Sequence, residues 1–213
     1  MSGPVRARTD RNVCPTMLGG IVASRRGAII VISGPSGSGK TTIVRRVLAE
    51  DPALVYSVSA TTRPPRPGEV DGCDYRFLTR GEFERRLAAD GFAEHAEVFG
   101  NLYGTPAEPM REAIAKGRVF LLDVDVQGAR QIRAKFPDAV FVIIMPPSEA
   151  VLAERLRGRR TETPEQFARR LEEARRELGC AGEYDRAIVN DRLDDAVREL
   201  KEVIRQAKEE RRA

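Results

Sequence analysis

Lys40 and Thr41 close the octapeptide Gly34-Pro35-Ser36-Gly37-Ser38-Gly39-Lys40-Thr41, where glycine, four variable residues and Gly-Lys-Thr stand at phosphate-binding-loop spacing. Glycines let such a loop curl so that successive N–H groups point inward at an anion. Lys40 is placed to reach β- and γ-phosphates, and the Thr41 hydroxyl to hold Mg²⁺. Ordinary residue frequencies give this match by chance on the order of one time in a hundred in a chain of such length. Further along, Arg63 and Arg66 are held three apart by stiff prolines, well suited to clamp a phosphate by paired hydrogen bonds. The bland reading of that stretch is a solvated turn. Asp123 and Asp125 end an apolar run, where carboxylates face the ligand crevice of a parallel sheet and can hold magnesium-bound water. A basic segment, Arg155 to Thr163, carries four arginines around Gly158. It reads equally well as a solvated charge run or as a lid that closes on phosphates.

The elements that must position these groups follow from pattern. Ala28–Ser33 is a β-branched apolar run, read as a buried parallel strand. Behind the loop, Ile43, Val44, Val47 and Leu48 share one helical face. The loop therefore has a strand before it and a helix after it, whose N-terminus adds partial positive charge. Leu54–Ser59 reads as a second strand, followed by an irregular Pro/Gly-rich loop to Tyr75. Thr79 and Glu82 form a capping box opening a helix that ends near Asp90-Gly91. Phe92–Phe99 is a strand. Tyr103–Glu108 carries the signature of another capped helix, with Pro106 at its first position, running to Lys116-Gly117. Val119–Asp125 and Ala139–Met145 are buried strands flanking a helix over Val126–Lys135. A helix spans Glu149–Arg157, another begins at Thr163-Pro164, Arg186–Asn190 is a last strand, and an amphipathic helix starts near Asp194. Alternating strands and helices define a doubly wound α/β fold. The run of short strands around a helix at about residues 59–106 reads as an inserted subdomain.

Composition narrows the class. The 213 residues are 41% hydrophobic and 32% charged, as in a soluble globular domain with well-solvated helices. A net charge of +4, from 36 basic and 32 acidic residues without a long basic block, suits a chain handling polyanionic nucleotides and calls for no nucleic-acid partner. No apolar run reaches the length of a membrane span. Cys14, Cys73 and Cys180 are scattered, so neither a disulfide framework nor a zinc site is indicated, and a cytoplasmic setting is expected. Residues 1–26 hold five arginines and read as a flexible N-terminal extension in preference to a targeting segment, with Met17 an alternative start. Residues 27–213 form the folded unit. Monomer and small homo-oligomer are both compatible with the sequence.

Over residues 28–205 the chain resembles the guanylate kinase family. The resemblance is carried by the phosphate loop, Ser57–Glu69 with Gly72 and Asp74-Tyr75, Phe92-Ala93-Glu94, Tyr103–Pro106, Asp123–Gly128 and Ile188–Asp191, all in the family's order. It implies a phosphate-loop nucleoside monophosphate kinase fold, a parallel sheet flanked by helices with a GMP-binding insertion and a lid at about residues 156–170. It also implies Mg²⁺-dependent transfer of the ATP γ-phosphoryl group to GMP, supplying GTP and dGTP precursors and recycling GMP. By the same resemblance ATP lies on Gly34, Pro35, Ser36, Gly37, Ser38, Gly39, Lys40, Thr41 and Thr42, with Arg155, Arg159 and Arg170 approaching its phosphates and Asn190 near adenine. Arg63, Arg66, Tyr75 and Tyr103 would hold the GMP phosphate, and Ser59, Glu94 and Thr105 would read guanine. Asp123 would lie near GMP and metal-bound water. Catalytic stabilisation would fall to Lys40, Arg63, Arg159, Arg170 and Asp123. Arg160 departs from the family's glycine in the lid. His95, the single histidine, is set aside as a base because it alternates away from Glu94 along the strand.

Three rivals weaken on the same residues. Peptide-binding scaffolds of similar fold typically lack a working phosphate loop, which is intact here. A kinase for another phosphorylated substrate would not need Glu94 with Thr105. A GTPase would need an Asn-Lys-x-Asp motif, which the sequence lacks.

Overall fold

The structure, a computed structural model, describes residues 27–98, 100–157 and 163–211. The N-terminal extension, Arg159 and Arg160 lie outside the described residues. In chain order the elements are β1 (Ile29–Ser33), α1 (Lys40–Glu50), β2 (Val55–Tyr56), β3 (Ala60–Thr61), β4 (Arg76–Phe77), α2 (Arg80–Ala88), β5 (Phe92–Val98) and β6 (Asn101–Pro106). They continue with α3 (Ala107–Ala115), β7 (Phe120–Asp123), α4 (Val126–Lys135), β8 (Val140–Met145), α5 (Glu149–Arg157), α6 (Pro164–Gly179), β9 (Arg186–Val189) and α7 (Leu193–Glu210).

Five parallel strands form the main sheet in the order β2-β7-β1-β8-β9. The first strand shows why its sequence is apolar throughout. Ile30 and Ile32 pack with Ile43, Val47, Leu121, Ile144, Val197 and Leu200 on one face. Ile29 and Val31 pack with Met110, Phe120, Leu122, Ile132 and Phe141 on the other. A strand covered by helices on both faces has no polar side, so period-two alternation disappears from the sequence. This is the α/β architecture expected.

A second sheet, β4-β3-β6-β5, is mixed: β3 pairs parallel with β4, and β6 pairs antiparallel with both β3 and β5. Its own small core is the stacked pair Phe83 and Phe92, with ring centroids 4.2 Å apart, joined by Ala60 and Leu102. Gly104 passes so close that a Cβ there would lie 2.9 Å from the Phe92 ring. The Thr79 capping box forms as the sequence predicts, and Thr163 caps α6 with Pro164 in its first turn.

The segment before α3 differs from expectation. Tyr103–Thr105 belong to β6, and Pro106 is the N-cap of α3, with no side-chain capping bond. Thr105 is taken from the capping role by strand pairing with Glu94, a tertiary contact that outweighs the local helix signal. The second strand is also shorter than Leu54–Ser59, because only Val55 and Tyr56 find register partners on β7.

Candidate functional site

The phosphate loop leaves the carboxyl end of β1 with Gly34 at φ 143°, and reaches α1 through Gly39 at φ 88°. Both positions exclude a side chain on contact grounds as well. A Cβ on Gly34 would lie 2.3 Å from the Ile144 carbonyl oxygen, and one on Gly39 would lie 2.1 Å from Asn190 Nδ2. Gly39 is the N-cap of α1 and supplies no side-chain capping bond, so the helix's first N–H groups remain for an anion. The Ser38 hydroxyl is buried beneath the loop with no hydrogen-bond partner among the described residues. A cleft of about 520 Å³ opens over the loop, bounded by Lys40, Thr41, Thr42, Asp123, Asp125 and Glu177.

Lys40 donates to Asp123 Oδ1 at 2.5 Å, both side chains being about one-fifth exposed. Strand pairing makes this possible, since β1 and β7 run parallel with Ile32 opposite Asp123. The two carboxylates at the end of β7 therefore separate in role. Asp123 meets Lys40, while Asp125 caps α4 by accepting from the Gly128 N–H at 2.7 Å. Asp125 still borders the cleft. Among the described residues no group of three or more His, Cys, Asp and Glu could hold a metal alone. A hydroxyl and carboxylates beside an anion cradle fit Mg²⁺, which keeps several waters and takes few protein ligands.

Helix α6 crosses the cleft mouth. Arg170 Nη2 donates to Ser36 Oγ at 2.9 Å, Ala174 is buried, and Glu177 reaches the cleft wall. These three stand at helical spacing on one face. Burial pushes the Glu177 carboxyl up to about 7, with Lys40 opposing and Glu173, Asp125 and Asp123 adding. Sequence reasoning missed Glu177; its one signal was the seven-residue interval from Arg170. Arg155 donates to the Asn190 backbone carbonyl at 3.2 Å, and Asn190 Nδ2 donates to the Ser38 carbonyl at 2.7 Å.

A second group assembles on the mixed sheet. Arg63 Nη2 donates to both Glu69 oxygens, at 2.8 and 3.0 Å, and Nη1 donates to the Pro64 carbonyl at 2.6 Å. Glu69 also accepts from the Arg66 N–H at 2.6 Å, which ties the turn to the guanidinium it holds. Glu69 first, then Tyr103, raises the Arg63 pKa above its ordinary value. The guanidinium lies 5.4 Å from the Tyr75 ring centre, and Tyr75 meets Tyr103 edge-on at 6.1 Å. Arg66 is exposed, and Ser59 holds β4 by accepting from the Arg76 N–H at 2.9 Å. Glu69 lay inside a recognised block without an assigned role.

Glu94 is 7% exposed and pairs in register with Thr105, whose buried hydroxyl has no formed hydrogen bond among the described residues. The strand register slips between Phe92 and Glu94, so three consecutive buried residues meet three surroundings. Phe92 stacks on Phe83, Ala93 joins the core under α3 and α4, and Glu94 Oε2 lies against Gly128. Burial raises the Glu94 pKa above its usual range; Thr105 and Lys135 oppose that rise, and Asp125 adds to it. The Gln131 side chain clamps the backbone next to Glu94, accepting from the His95 N–H at 3.1 Å and donating to its carbonyl at 2.8 Å. Tyr56, 38% exposed, lies near both groups: surrounding protein that shields its hydroxyl first, then Asp123 and Tyr75, raise its pKa.

A glycine-rich loop between a parallel strand and a helix, with a lysine–carboxylate pair at the sheet's carboxyl edge, defines a phosphate-loop protein of the α/β class. The sequence model of the guanylate kinase family matches residues 26–207. Relatives agree: a guanylate kinase from Gloeobacter violaceus is 53% identical, over 83% of this chain and 86% of its own, and one from Nocardia farcinica is 52% identical, over 83% and 93%. The crystal structure of guanylate kinase from Anaplasma phagocytophilum superposes with a TM-score of 0.71 at 34% identity, covering 86% of this chain and 87% of that one. The chain belongs to the guanylate kinase family. No helix among the described residues is long and apolar enough to cross a membrane.

Proposed function

We propose that the chain transfers the γ-phosphoryl group of ATP to GMP with Mg²⁺, releasing ADP and GDP. The observation that carries this reading is Glu94, a buried carboxylate paired in register with Thr105, whose buried hydroxyl has no hydrogen-bond partner among the described residues. Guanine offers adjacent N1–H and N2–H donors that one carboxylate accepts together. Adenine presents an acceptor at N1 and would leave the carboxylate unpaired, which a hydrogen-bonding site rejects strongly. Ser59 and Thr105 complete the base contacts in this reading.

Arg63, with Arg66, Tyr75 and Tyr103, receives the GMP phosphate. Glu69 pins the Arg63 guanidinium before any ligand arrives, so less side-chain entropy is lost on binding. The loop Gly34–Thr42 holds the ATP phosphates, and Arg155, Arg159, Arg170 and Asn190 belong to the donor side. Lys40 leaves Asp123 to reach the transferring phosphoryl group, and Asp123 turns to the acceptor. Phosphoryl transfer needs alignment and positive charge on the equatorial oxygens more than it needs a base. When bound through Thr41, Mg²⁺ neutralises phosphate charge. In the same reading residues 59–106 act as the GMP-binding insertion, residues 156–170 as the lid, and the scattered cysteines suit a cytoplasmic setting.

The test is direct. Purified protein with ATP, Mg²⁺ and GMP yields GDP, with AMP and CMP far poorer acceptors; absence of GDP, or equal use of AMP, rejects the reading.

A further inference from the structure

Asn190 sits just past the end of β9, 6% exposed, and each of its backbone groups is held. Its N–H donates to the Met145 carbonyl at 2.7 Å, and its carbonyl accepts from Arg155 at 3.2 Å. The side chain points at the phosphate loop, with Nδ2 donating to the Ser38 carbonyl at 2.7 Å. Only the NH₂ end of an amide can meet a carbonyl, so the contact itself fixes the orientation. The fit is close: a Cβ on Gly39 would overlap Nδ2 at 2.1 Å. The amide therefore occupies the space a side chain at Gly39 would need.

Across a trans peptide the C=O and the following N–H point in opposite directions. Holding the Ser38 carbonyl toward Asn190 thus turns the Gly39 N–H away from Asn190, and Gly39 itself borders the cleft. We propose that Asn190 is a positioning residue that fixes the Ser38–Gly39 peptide in its anion-binding orientation, and so serves the triphosphate rather than the base of the donor nucleotide. Arg155 extends the device, since its guanidinium on the Asn190 carbonyl ties α5 to the same strut. The proposal rests on the reading of Gly34–Thr42 as the donor phosphate site and replaces the expectation of adenine contact.

The experiment compares ligands with and without a base. ATP, inorganic tripolyphosphate and GMP are titrated calorimetrically, with Mg²⁺ for the first two, into parent protein, Asn190→Ala and Asn190→Asp. Asn190→Asp keeps the side-chain size and puts a carboxylate against the Ser38 carbonyl, so it serves where truncation costs folding; melting curves confirm the folded state. Expected is a loss of about tenfold or more in affinity for both ATP and tripolyphosphate, in equal proportion, with GMP binding unchanged. As donors, ATP and CTP then lose kcat/KM by the same factor, a readout that stands even where tripolyphosphate binds weakly. A loss confined to ATP, with the ATP-over-CTP preference collapsing, overturns the proposal in favour of adenine contact. Unchanged ATP and tripolyphosphate binding also overturns it. Failure of the parent to form GDP from GMP would instead reject the functional reading, and that outcome is separate from tripolyphosphate binding.

Discussion

Lys40 and Asp123 are 83 positions apart in the chain and form a 2.5 Å ion pair at the carboxyl edge of the main sheet. The pair joins the end of the phosphate loop to the end of the neighbouring strand, so the loop's lysine is held in the cleft by a carboxylate. In the proposed reading, ligand phosphates compete with that carboxylate for the lysine. Each partner is therefore expected to affect a different kinetic constant.

In the proposed reading, replacing Lys40 removes the cation that meets charge developing on the phosphoryl oxygens. Lys40→Ala is expected to lower kcat by about 10²–10³-fold while the melting temperature stays within a few degrees of the parent. Asp123→Asn leaves Lys40 free, so kcat falls while the KM for ATP does not rise. Steady-state kinetics with each substrate varied in turn distinguishes the two.

Arg63 uses its planar fork on Glu69 and Pro64 at once, a geometry an ammonium group cannot reproduce. Arg63→Lys is expected to raise the KM for GMP by about tenfold, the equivalent of one lost charged hydrogen bond. The KM for ATP should be little changed. Equal effects on both substrates would contradict a role confined to the acceptor.

Glu94 has its pKa raised chiefly by burial, so it takes up a proton at a higher pH than an ordinary glutamate. Only the ionised form accepts two donors from guanine. The KM for GMP should therefore rise as pH falls toward that raised pKa, with Asp125 adding to the effect and Lys135 opposing it. Glu94→Gln should abolish this slope and reduce the preference for GMP over AMP by about 100-fold or more. Initial rates with both acceptors between pH 5 and about 8 provide the check.

Glu177 is pushed up to about 7 from 4.5, again first by burial. Folding favours its protonated form, so its stabilising contribution is complete below pH 4.5 and is lost as pH rises through about 7. Glu177→Gln should melt with the parent at low pH and above it at pH 8, by about 2–4 °C after allowance for partial exposure. A melting difference that does not depend on pH would show that the side chain is not titrating in the cleft.

Local chemistry determined a good deal of this protein. The loop Gly34–Thr41, the uniformly apolar β1, the Thr79 and Thr163 caps and the helix Val126–Lys135 depend on neighbours a few residues away, and each was legible from the chain. The family resemblance also singled out Arg63, Glu94 and Thr105 as expected substrate contacts. Tertiary structure decided the rest, because it concerned pairings between distant segments. Strand pairing, against the local helix signal, put Thr105 opposite Glu94, and the register slip after Phe92 turned Glu94 toward Gly128. Parallel pairing of β1 with β7 brought Asp123 to Lys40, while the start of α4 claimed Asp125 as its cap. The folding of β9 beside β8 delivered Asn190 to the loop from 152 residues away. The sequence by itself determined which side chains are able to do the chemistry. Which of them face one another depends on strand order and register, and no local pattern contains these.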